Sequence, residues 1–322
     1  ARGMWRMAQR NAIINKLSAV ETLGSTNVIL TDKTGTLTEN RMTVTHLTLP
    51  AENDHDAQVD ISGEGLEIKG EFHRDDQIID PQDNIVLKES LKVGVLCNNA
   101  VLKKESHGET SSVGDPTEVA LLVAGAKADL EREEMIDEMP EVREVAFDPH
   151  VKMMATFHET QAEENGYFTA VKGALEQVLD ASTYILTEDG KKQLADEDRE
   201  KWRQLNDEMA QKGFRVIATA RKTSATVEED PYRELVFLGL QALLDPPRSE
   251  VSDAIHKAQK AGVNIIMVTG DQPATAYNVG QAVGLFEESE VIHGGEIESF
   301  KELSDKQQER FLDIPVSSRL IP

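Results

Sequence analysis

The two ends of the chain share a pattern in which short apolar runs alternate with amphipathic segments. Branched apolar residues fill positions 28–30, and a second, largely apolar run covers 263–268. Helical spacing of apolar residues predicts helices over 4–23, 250–261 and 273–283, each followed by a glycine. Strands that alternate with helices in this way pair in parallel. The pattern therefore predicts one α/β domain with a buried parallel sheet, built from both ends of the chain.

The middle of the chain has a different pattern. Alternation of polar and apolar residues predicts antiparallel strands over 44–49 and 59–68. Further elements are expected as strands over 144–147, 153–158, 167–171, 216–221 and 235–242, and as helices over 84–97, 116–127 and 196–212. The pattern therefore predicts an α+β domain inserted into the α/β domain. We expect the first segment of the α/β domain at 1–43, the insertion at 44–240 and the second segment at 241–322.

The composition is that of a folded chain, but its charge is strongly negative. With 39% hydrophobic and 29% charged residues, the chain is neither collagen-like nor disordered. Its 34 Lys and Arg against 58 Asp and Glu give a formal net charge of −24. Because nucleic acids and anionic lipids repel such a chain, and no long Lys/Arg run offsets this, we expect no nucleic-acid partner.

The cysteine and histidine residues argue against disulfide bonds and a histidine-based metal site. Cys97 is the sole cysteine of the sequence, which excludes an internal disulfide framework and indicates a reducing compartment. The eight histidines are scattered, so we expect no histidine-based metal site. No apolar run reaches the roughly 18 residues that a membrane span needs.

The strongest chemical signal is the loop after the first apolar run, which reads DKTGTLT and begins at Asp32. Ligands bind at the carboxyl ends of the strands in α/β sheets, so Asp32 stands where chemistry is expected. Lys33 supplies a positive charge, and Thr34 with the two residues after it offers N–H groups and hydroxyls to an anion. A carboxylate held there can attack phosphorus and form an acyl phosphate. The alternative is an aspartate that only closes an Asx-turn.

This string resembles the phosphorylation motif of P-type ATPases, which are membrane cation pumps. Further motifs of that family follow in the family's order: GDPTE at 114–118, Phe147, Lys152, KGA at 172–174, Arg215, DPPR at 245–248 and TGD at 269–271. The chain is most similar to the type II pumps, which include calcium-transporting ATPases. The resemblance implies a haloacid-dehalogenase-like, Rossmann-like phosphorylation (P) domain, incomplete at its C-terminal part, with an inserted antiparallel α+β nucleotide-binding (N) domain.

The resemblance also implies the residues of the phosphorylation site. Asp32 would be the phosphorylated nucleophile. Lys33, Thr34, Thr269, Gly270 and Asp271 would complete the catalytic loops. Mg²⁺ would be held by the Asp32 carboxylate and the main-chain carbonyl of Thr34, together with an aspartate of a GDGxND segment that this sequence lacks.

The same resemblance implies a nucleotide pocket. Glu118 would accept a hydrogen bond from the adenine amino group, Phe147 would stack on the purine, and Arg215 would reach the phosphates. Lys152, Lys172 and Gly173 would line the pocket, and Asp245 and Arg248 would lie near the nucleotide at the domain junction. The alternatives are a core phenylalanine, a solvated glutamate in a helix turn, a surface arginine and a plain turn at the two prolines.

Two positions differ from the residues usual in related sequences, and each difference bears on how the phosphate is handled. Phosphatases of the haloacid-dehalogenase superfamily usually carry a second aspartate two residues after the nucleophile. Here that position is Thr34, so a local base for water is missing and an aspartyl phosphate should persist. Pro149 stands where the family often has an arginine, so we expect one polyphosphate contact to be absent.

We therefore expect the catalytic cytoplasmic part of a type II cation pump that uses ATP and Mg²⁺. The chain would lie at the cytoplasmic face of a membrane, with transmembrane and actuator domains elsewhere in the same polypeptide and Ca²⁺ as the favoured cation. The isolated fragment should bind nucleotide but be phosphorylated poorly. Two alternatives stay open: a haloacid-dehalogenase-type phosphatase with a large cap, and a nucleotide-binding module without catalysis.

Overall fold

The structure is a computed structural model, and it divides the chain into two compact units. It describes residues 5, 7–9, 24–51, 56–63, 65–104, 110–160, 166–270, 273–287, 291–293 and 316–318. Unit 1 comprises Ala1–Glu39 and Pro247–Pro322, and unit 2 comprises Asn40–Pro246. Most of the helix predicted over 4–23 lies outside the described residues. The sequence placed the changes of domain after 43 and 240, and the compact units change after 39 and 246.

The strands are β1 Val28–Asp32, β2 Thr43–Pro50, β3 Asp56–Ile61, β4 Phe72–Arg74, β5 Gln77–Ile79, β6 Val101–Lys104, β7 Thr110–Val113, β8 Glu141–Asp148, β9 Met153–Glu159, β10 Tyr167–Gly173, β11 Ser182–Thr187, β12 Gly190–Gln193, β13 Arg215–Ser224, β14 Leu235–Leu244, β15 Asn264–Thr269, β16 Val291–His293 and β17 Val316–Ser318. The helices are α1 Ile85–Leu96, α2 Pro116–Lys127, α3 Arg132–Glu138, α4 Leu175–Ala181, α5 Asp196–Gln211, α6 Val251–Lys260 and α7 Pro273–Ala282. In the described part of the chain, no helix has the length and apolar character that crossing a membrane requires.

Unit 1 contains a four-stranded sheet in the order β1-β15-β17-β16, and its strands pair in parallel. Residues of α6, α7 and β15 form one apolar core, in which Ile255, Met267 and Val279 are buried. The expectation of a buried first strand was wrong, because Leu30 is 68% exposed and its two apolar neighbours are also open. In the described residues β1 is an edge strand with β15 as its paired neighbour.

Unit 2 is a mixed α/β structure around an eleven-stranded, mainly antiparallel sheet. Its main path is β5-β4-β3-β2-β14-β13-β10-β9-β8, and β11 joins β14 in parallel. Strand β14 lies at the centre, and nine of its ten residues are buried. One core on the sheet includes α1 and α2, while a second core includes α4 and α5 around Trp202 and Phe237. Such a sheet, covered on both faces, gives a rigid base for the loops at its rim.

Candidate functional site

A cavity of about 530 Å³ opens on unit 2. Six residues that the sequence assigned to a nucleotide pocket line it: Glu118, Phe147, Lys152, Lys172, Gly173 and Arg215. They come from α2, β8, the turn before β9, β10 and β13. The fold therefore brings together residues that are widely separated in the sequence.

The first turn of α2 places Glu118 at the cavity. Asp115 caps this helix, because its carboxylate accepts the backbone N–H of Thr117 at 2.8 Å. Pro116 occupies the first helical position, where its missing N–H costs nothing. The GDPTE motif thus fixes where α2 begins, and an acidic side chain in its first turn is stabilised by the helix dipole.

Glu118 forms an ion pair with Lys172 inside the cavity. The lysine Nζ donates to Glu118 Oε1 at 2.6 Å, and the two side chains are only 11% and 17% exposed. Lys172 is held on β10 between Met154 of β9 and Thr219 of β13. Because the pair is shielded from water, its attraction is stronger than that of a surface pair. The cavity therefore offers a fixed acceptor beside a fixed donor.

Phe147 has an open ring near the end of the edge strand β8. The side chain is 58% exposed, and the pairing of β8 with β9 is irregular between Val145 and Asp148. A phenylalanine that served the core would be buried, so packing does not explain this position. The exposed ring is a platform on which a flat aromatic ligand can stack.

The turn from β8 to β9 approaches β10 closely at Gly173. Lys152 has φ of +55°, a left-handed conformation that non-glycine residues rarely adopt. Its carbonyl accepts the N–H of Ala174 at 3.0 Å, and a Cβ on Gly173 would lie 2.5 Å from that same oxygen. Glycine is therefore required where the two backbones meet, and Lys152 is presented at the cavity by a strained turn.

The remaining two predicted nucleotide residues do not line the cavity. Asp245, in unit 2, accepts the backbone N–H of Arg41 on Oδ1 at 3.2 Å. Arg248, in unit 1, donates from its backbone to Leu37 O at 2.9 Å and from Nη2 to Gly35 O at 3.1 Å. Arg248 thus contacts the loop that follows Asp32, and a role of either residue at the nucleotide stays a prediction.

The loop after β1 presents Asp32 at the surface of unit 1. Residues 33–37 form a tight turn, closed by a hydrogen bond from Thr38 N–H to Lys33 O at 3.1 Å. Gly35 has φ of +75°, which glycine adopts without strain. Asp32 and Thr34 are exposed, whereas the Lys33 side chain is buried. The turn therefore leaves the carboxylate accessible to a ligand.

The second predicted catalytic loop lies at the same edge of the parallel sheet. Asp32 is paired in register with Val268 of β15, so Thr269 and Gly270 follow at the carboxyl end of the neighbouring strand. Thr269 is buried, and open space surrounds the position of a Cβ on Gly270. Asp271 lies outside the described residues. The geometry places two strand ends side by side, as a phosphate clamp requires.

The metal-binding capacity of this loop is limited. Asp32 offers one carboxylate, and Thr34 offers a main-chain carbonyl. Among the described residues, no three His, Cys, Asp or Glu side chains come together as a metal site. Mg²⁺ usually binds proteins through one or two carboxylates and takes the rest of its ligands from phosphates and water. This donor set fits such a partly hydrated ion.

Comparison with known families identifies the chain. A family model described as P-type ATPase, cytoplasmic domain N, matches residues 86–250, about half of the chain. The chain belongs to the P-type ATPases. Residues 86–250 correspond to the cytoplasmic N domain of that family, and the cavity residues described above fall within this range.

Individual P-type ATPases are similar over nearly the whole chain. It is 39% identical over 303 residues to the cation-transporting ATPase pma1 of Synechocystis, which covers 90% of this chain and 32% of that protein. It is 35% identical over 304 residues to calcium-transporting ATPase 1 of Bacillus cereus, covering 93% of this chain and 31% of the relative. The chain thus spans about a third of the length of the curated relatives it matches.

Several cavity residues of this P-type ATPase were not assigned to the site from its sequence. They lie in the loop after α1, at the start and in the middle of α2, and on the two strands β9 and β13: Asn99, Asp115, Thr117, Leu121, Met154, Val216 and Ile217. Asp115 and Thr117 lie within the GDPTE motif, which was the available signal. Asn99 has no such sequence signal, because its place at the cavity depends on how α1 packs beside α2.

Proposed function

We propose that this chain is the catalytic cytoplasmic part of an ATP-driven cation pump. In this proposal unit 2 binds ATP, and Asp32 receives its γ-phosphoryl group. The observation that carries the proposal is the cavity of unit 2, in which six motif residues from distant parts of the sequence meet. The relatives named as cation- and calcium-transporting ATPases support a pump and favour Ca²⁺ as the transported ion.

The cavity has the size and chemistry to hold a nucleotide. Its volume of about 530 Å³ lies within the usual range of small-molecule sites. The open Phe147 ring would stack on adenine, and Glu118 would accept a hydrogen bond from the 6-amino group. Lys152 and Arg215, both exposed, would attract the phosphates. These cations supply a local positive site within a chain whose net charge is −24.

Phosphoryl transfer would begin with attack of an Asp32 carboxylate oxygen on the γ-phosphorus. The new O–P bond forms as the bond between that phosphorus and the β–γ bridging oxygen breaks, and ADP leaves. Main-chain groups of the tight turn would orient the transferred group. A Mg²⁺ ion held by Asp32 and Thr34 would neutralise charge on the phosphoryl oxygens.

The aspartyl phosphate would persist because the loop lacks a second carboxylate. Thr34 occupies the position from which an aspartate could activate water. A long-lived intermediate is what a pump requires, since it must outlast a conformational change in the full-length protein. We assign a haloacid-dehalogenase-like P domain to unit 1 on the basis of its parallel sheet and the motif at Asp32.

Acid-quenched labelling with γ-³²P ATP tests this proposal in the full-length pump. We expect a labelled protein whose label is released by hydroxylamine, as an acyl phosphate should be, and no label in Asp32→Asn. ATP binding by the variant should stay within about twofold of the wild type, because Asp32 does not line the cavity. Labelling that survives Asp32→Asn would refute the assignment of the nucleophile. Hydrolysis of simple phosphate esters without nucleotide binding would favour the phosphatase alternative.

A further inference from the structure

Two consecutive asparagines hydrogen-bond to Glu118: Asn98 to its main-chain carbonyl and Asn99 to its carboxylate. Asn98 and Asn99 lie between the end of α1 and the start of β6. The first is fully buried, and the second is exposed and lines the cavity. Neither residue belongs to a motif that the sequence analysis assigned to the nucleotide. Their hydrogen bonds fix the position of Glu118.

Asn98 uses its entire side-chain amide to tie three segments together. Its Nδ2 donates to Gly94 O of α1 at 3.0 Å and to Glu118 O of α2 at 2.9 Å, and its Oδ1 accepts the N–H of Ala100 at 2.9 Å. Its own carbonyl accepts from Arg132 Nη2 at 2.7 Å. A buried amide with all these partners holds one orientation. It therefore fixes the main chain of Glu118 relative to α1.

Asn99 fixes the carboxylate of the same glutamate. Its backbone N–H donates to Glu118 Oε2 at 3.2 Å, while Lys172 occupies Oε1. The side-chain amide of Asn99 donates to Glu144 Oε1 on β8 at 2.8 Å, which anchors the loop to the strand that carries Phe147. A carboxylate can accept about four hydrogen bonds, so acceptor capacity remains for a ligand in the cavity.

We infer that Asn98 and Asn99 are positioning residues that set the base preference of the nucleotide site. They hold Glu118 so that its carboxylate accepts a hydrogen bond from the 6-amino group of a purine. This inference rests on the proposed function. A purine with an oxygen at position 6 would present an acceptor there, in place of the amino donor, to the fixed carboxylate and would bind more weakly.

Binding of ATP and of inosine triphosphate, which carries the 6-oxo group, tests the inference on the 322-residue chain. The readout is the ratio of the two dissociation constants, measured by calorimetry for wild type, Asn98→Ala and Asn99→Ala. We expect the wild type to prefer ATP. The preference should fall about fivefold in Asn98→Ala, which loses the neutral hydrogen bond to the Glu118 main chain. It should fall about twofold in Asn99→Ala, which keeps its backbone N–H bond to Glu118 but loses the side-chain bond to Glu144 that anchors the loop. Affinity for inosine triphosphate should change less than affinity for ATP.

Asn84→Ala is the matched control at the other end of α1. Asn84 caps that helix by accepting from the N–H groups of Val86 and Leu87, so the variant loses stability by a comparable route. It should keep the wild-type ratio. A purely structural role for Asn98 would likewise lower both affinities together, and an unchanged ratio in Asn98→Ala would overturn the inference.

Each of the other possible outcomes also either supports or overturns the inference. If Asn98→Ala does not fold, Asn99→Ala decides: a reduced ratio supports the inference and a wild-type ratio overturns it. A wild-type chain that binds both nucleotides equally would overturn the inference and leave the proposed function standing. A wild-type chain that binds neither nucleotide would overturn both.

Discussion

The two units of this chain build their candidate sites in different ways. In unit 2 the cavity is formed by side chains that are fixed by long-range contacts, such as the ion pair between Lys172 and Glu118 at 2.6 Å. In unit 1 the candidate site is a short turn at the end of an edge strand, held by local contacts. The Thr38 N–H donates to Lys33 O at 3.1 Å, and Thr38 Oγ1 accepts from the Gly35 N–H and donates to Lys33 O.

This difference predicts where each site is sensitive to substitution. A cavity fixed by buried side chains depends on core residues far from the ligand. A turn held by its own backbone and by Thr38 depends on few distant residues, and the Arg248 side chain adds a hydrogen bond to Gly35 O. Unit 2 should therefore respond to changes in its core, and unit 1 to changes at the loop.

The largest effect expected from the core of unit 2 is an acid sensitivity due to His158. This histidine is fully buried, with Nε2 at 2.8 Å from Thr156 Oγ1 and Nδ1 at 3.2 Å from Met139 O. Its pKa is lowered to about 4, mainly by burial and in smaller part by the positive charges of Arg132 and Lys92, against the raising effect of the Met139 carbonyl. Folding therefore keeps this ring neutral.

The direction of this pH dependence follows from which state, folded or unfolded, binds the proton. Between pH 6.5 and 4 the unfolded chain binds a proton at this histidine and the folded chain does not, so the free energy of unfolding falls with the pH. The total loss is about 3 kcal/mol. Urea titrations at several pH values should show that His158→Gln removes this part of the pH dependence, whereas exposed His256 of unit 1, changed to Gln, leaves it intact. A His158→Gln chain with the wild-type slope would contradict the prediction.

The next largest effect is expected from replacing a glycine by alanine, which should destabilise unit 2 at Gly173 but not unit 1 at Gly270. Gly173→Ala places a Cβ 2.5 Å from the Lys152 carbonyl, so the strands must separate, at a cost of about 2 kcal/mol. Thermal unfolding should report this loss, and ATP affinity should fall because Lys152 and Lys172 are displaced. Gly270→Ala in unit 1 meets no atom within 4 Å and should change stability by less than about 0.5 kcal/mol. Equal losses in the two variants would remove the contrast between the units.

Local sequence signals predicted most of the regular structure. The helices predicted over 84–97, 116–127 and 196–212 correspond to α1, α2 and α5. Strand β14 follows from its continuous apolar run, because a strand covered on both faces needs apolar residues throughout. The strand predicted over 59–68 was too long, since β3 ends at Ile61.

The errors have a common physical cause, which is contact between residues far apart in the sequence. The segment after β3 is held as a loop by Lys127, whose Nζ donates to Ser62 O and Gly63 O from the end of α2. The exposure of β1 depends on which elements cover the sheet. Asn98 resembles an ordinary residue after a helix, and its bond to Glu118 O exists only because α1 packs on α2. None of these contacts has a local sequence signal.

The smallest predicted effect compares two arginines, the exposed Arg215 and the half-buried Arg248. Arg215 lines the cavity of unit 2, so Arg215→Ala should weaken ATP binding about fivefold through loss of a solvent-exposed charge contact. Arg248 supports the turn after Asp32 by donating to Gly35 O at 3.1 Å. Arg248→Ala should therefore slow labelling of the full-length pump by about fivefold while ATP affinity stays within about twofold.

Calorimetry and single-turnover labelling separate the two arginines. Arg248→Lys is the control that keeps the charge but lacks the planar group, and it should recover only part of the labelling rate. If Arg248→Ala instead weakened ATP binding as much as Arg215→Ala does, the arginine would act on the nucleotide, as its place in the DPPR motif first suggested. The division between a side-chain cavity in unit 2 and a backbone turn in unit 1 would then be too sharp, because one residue would serve both sites.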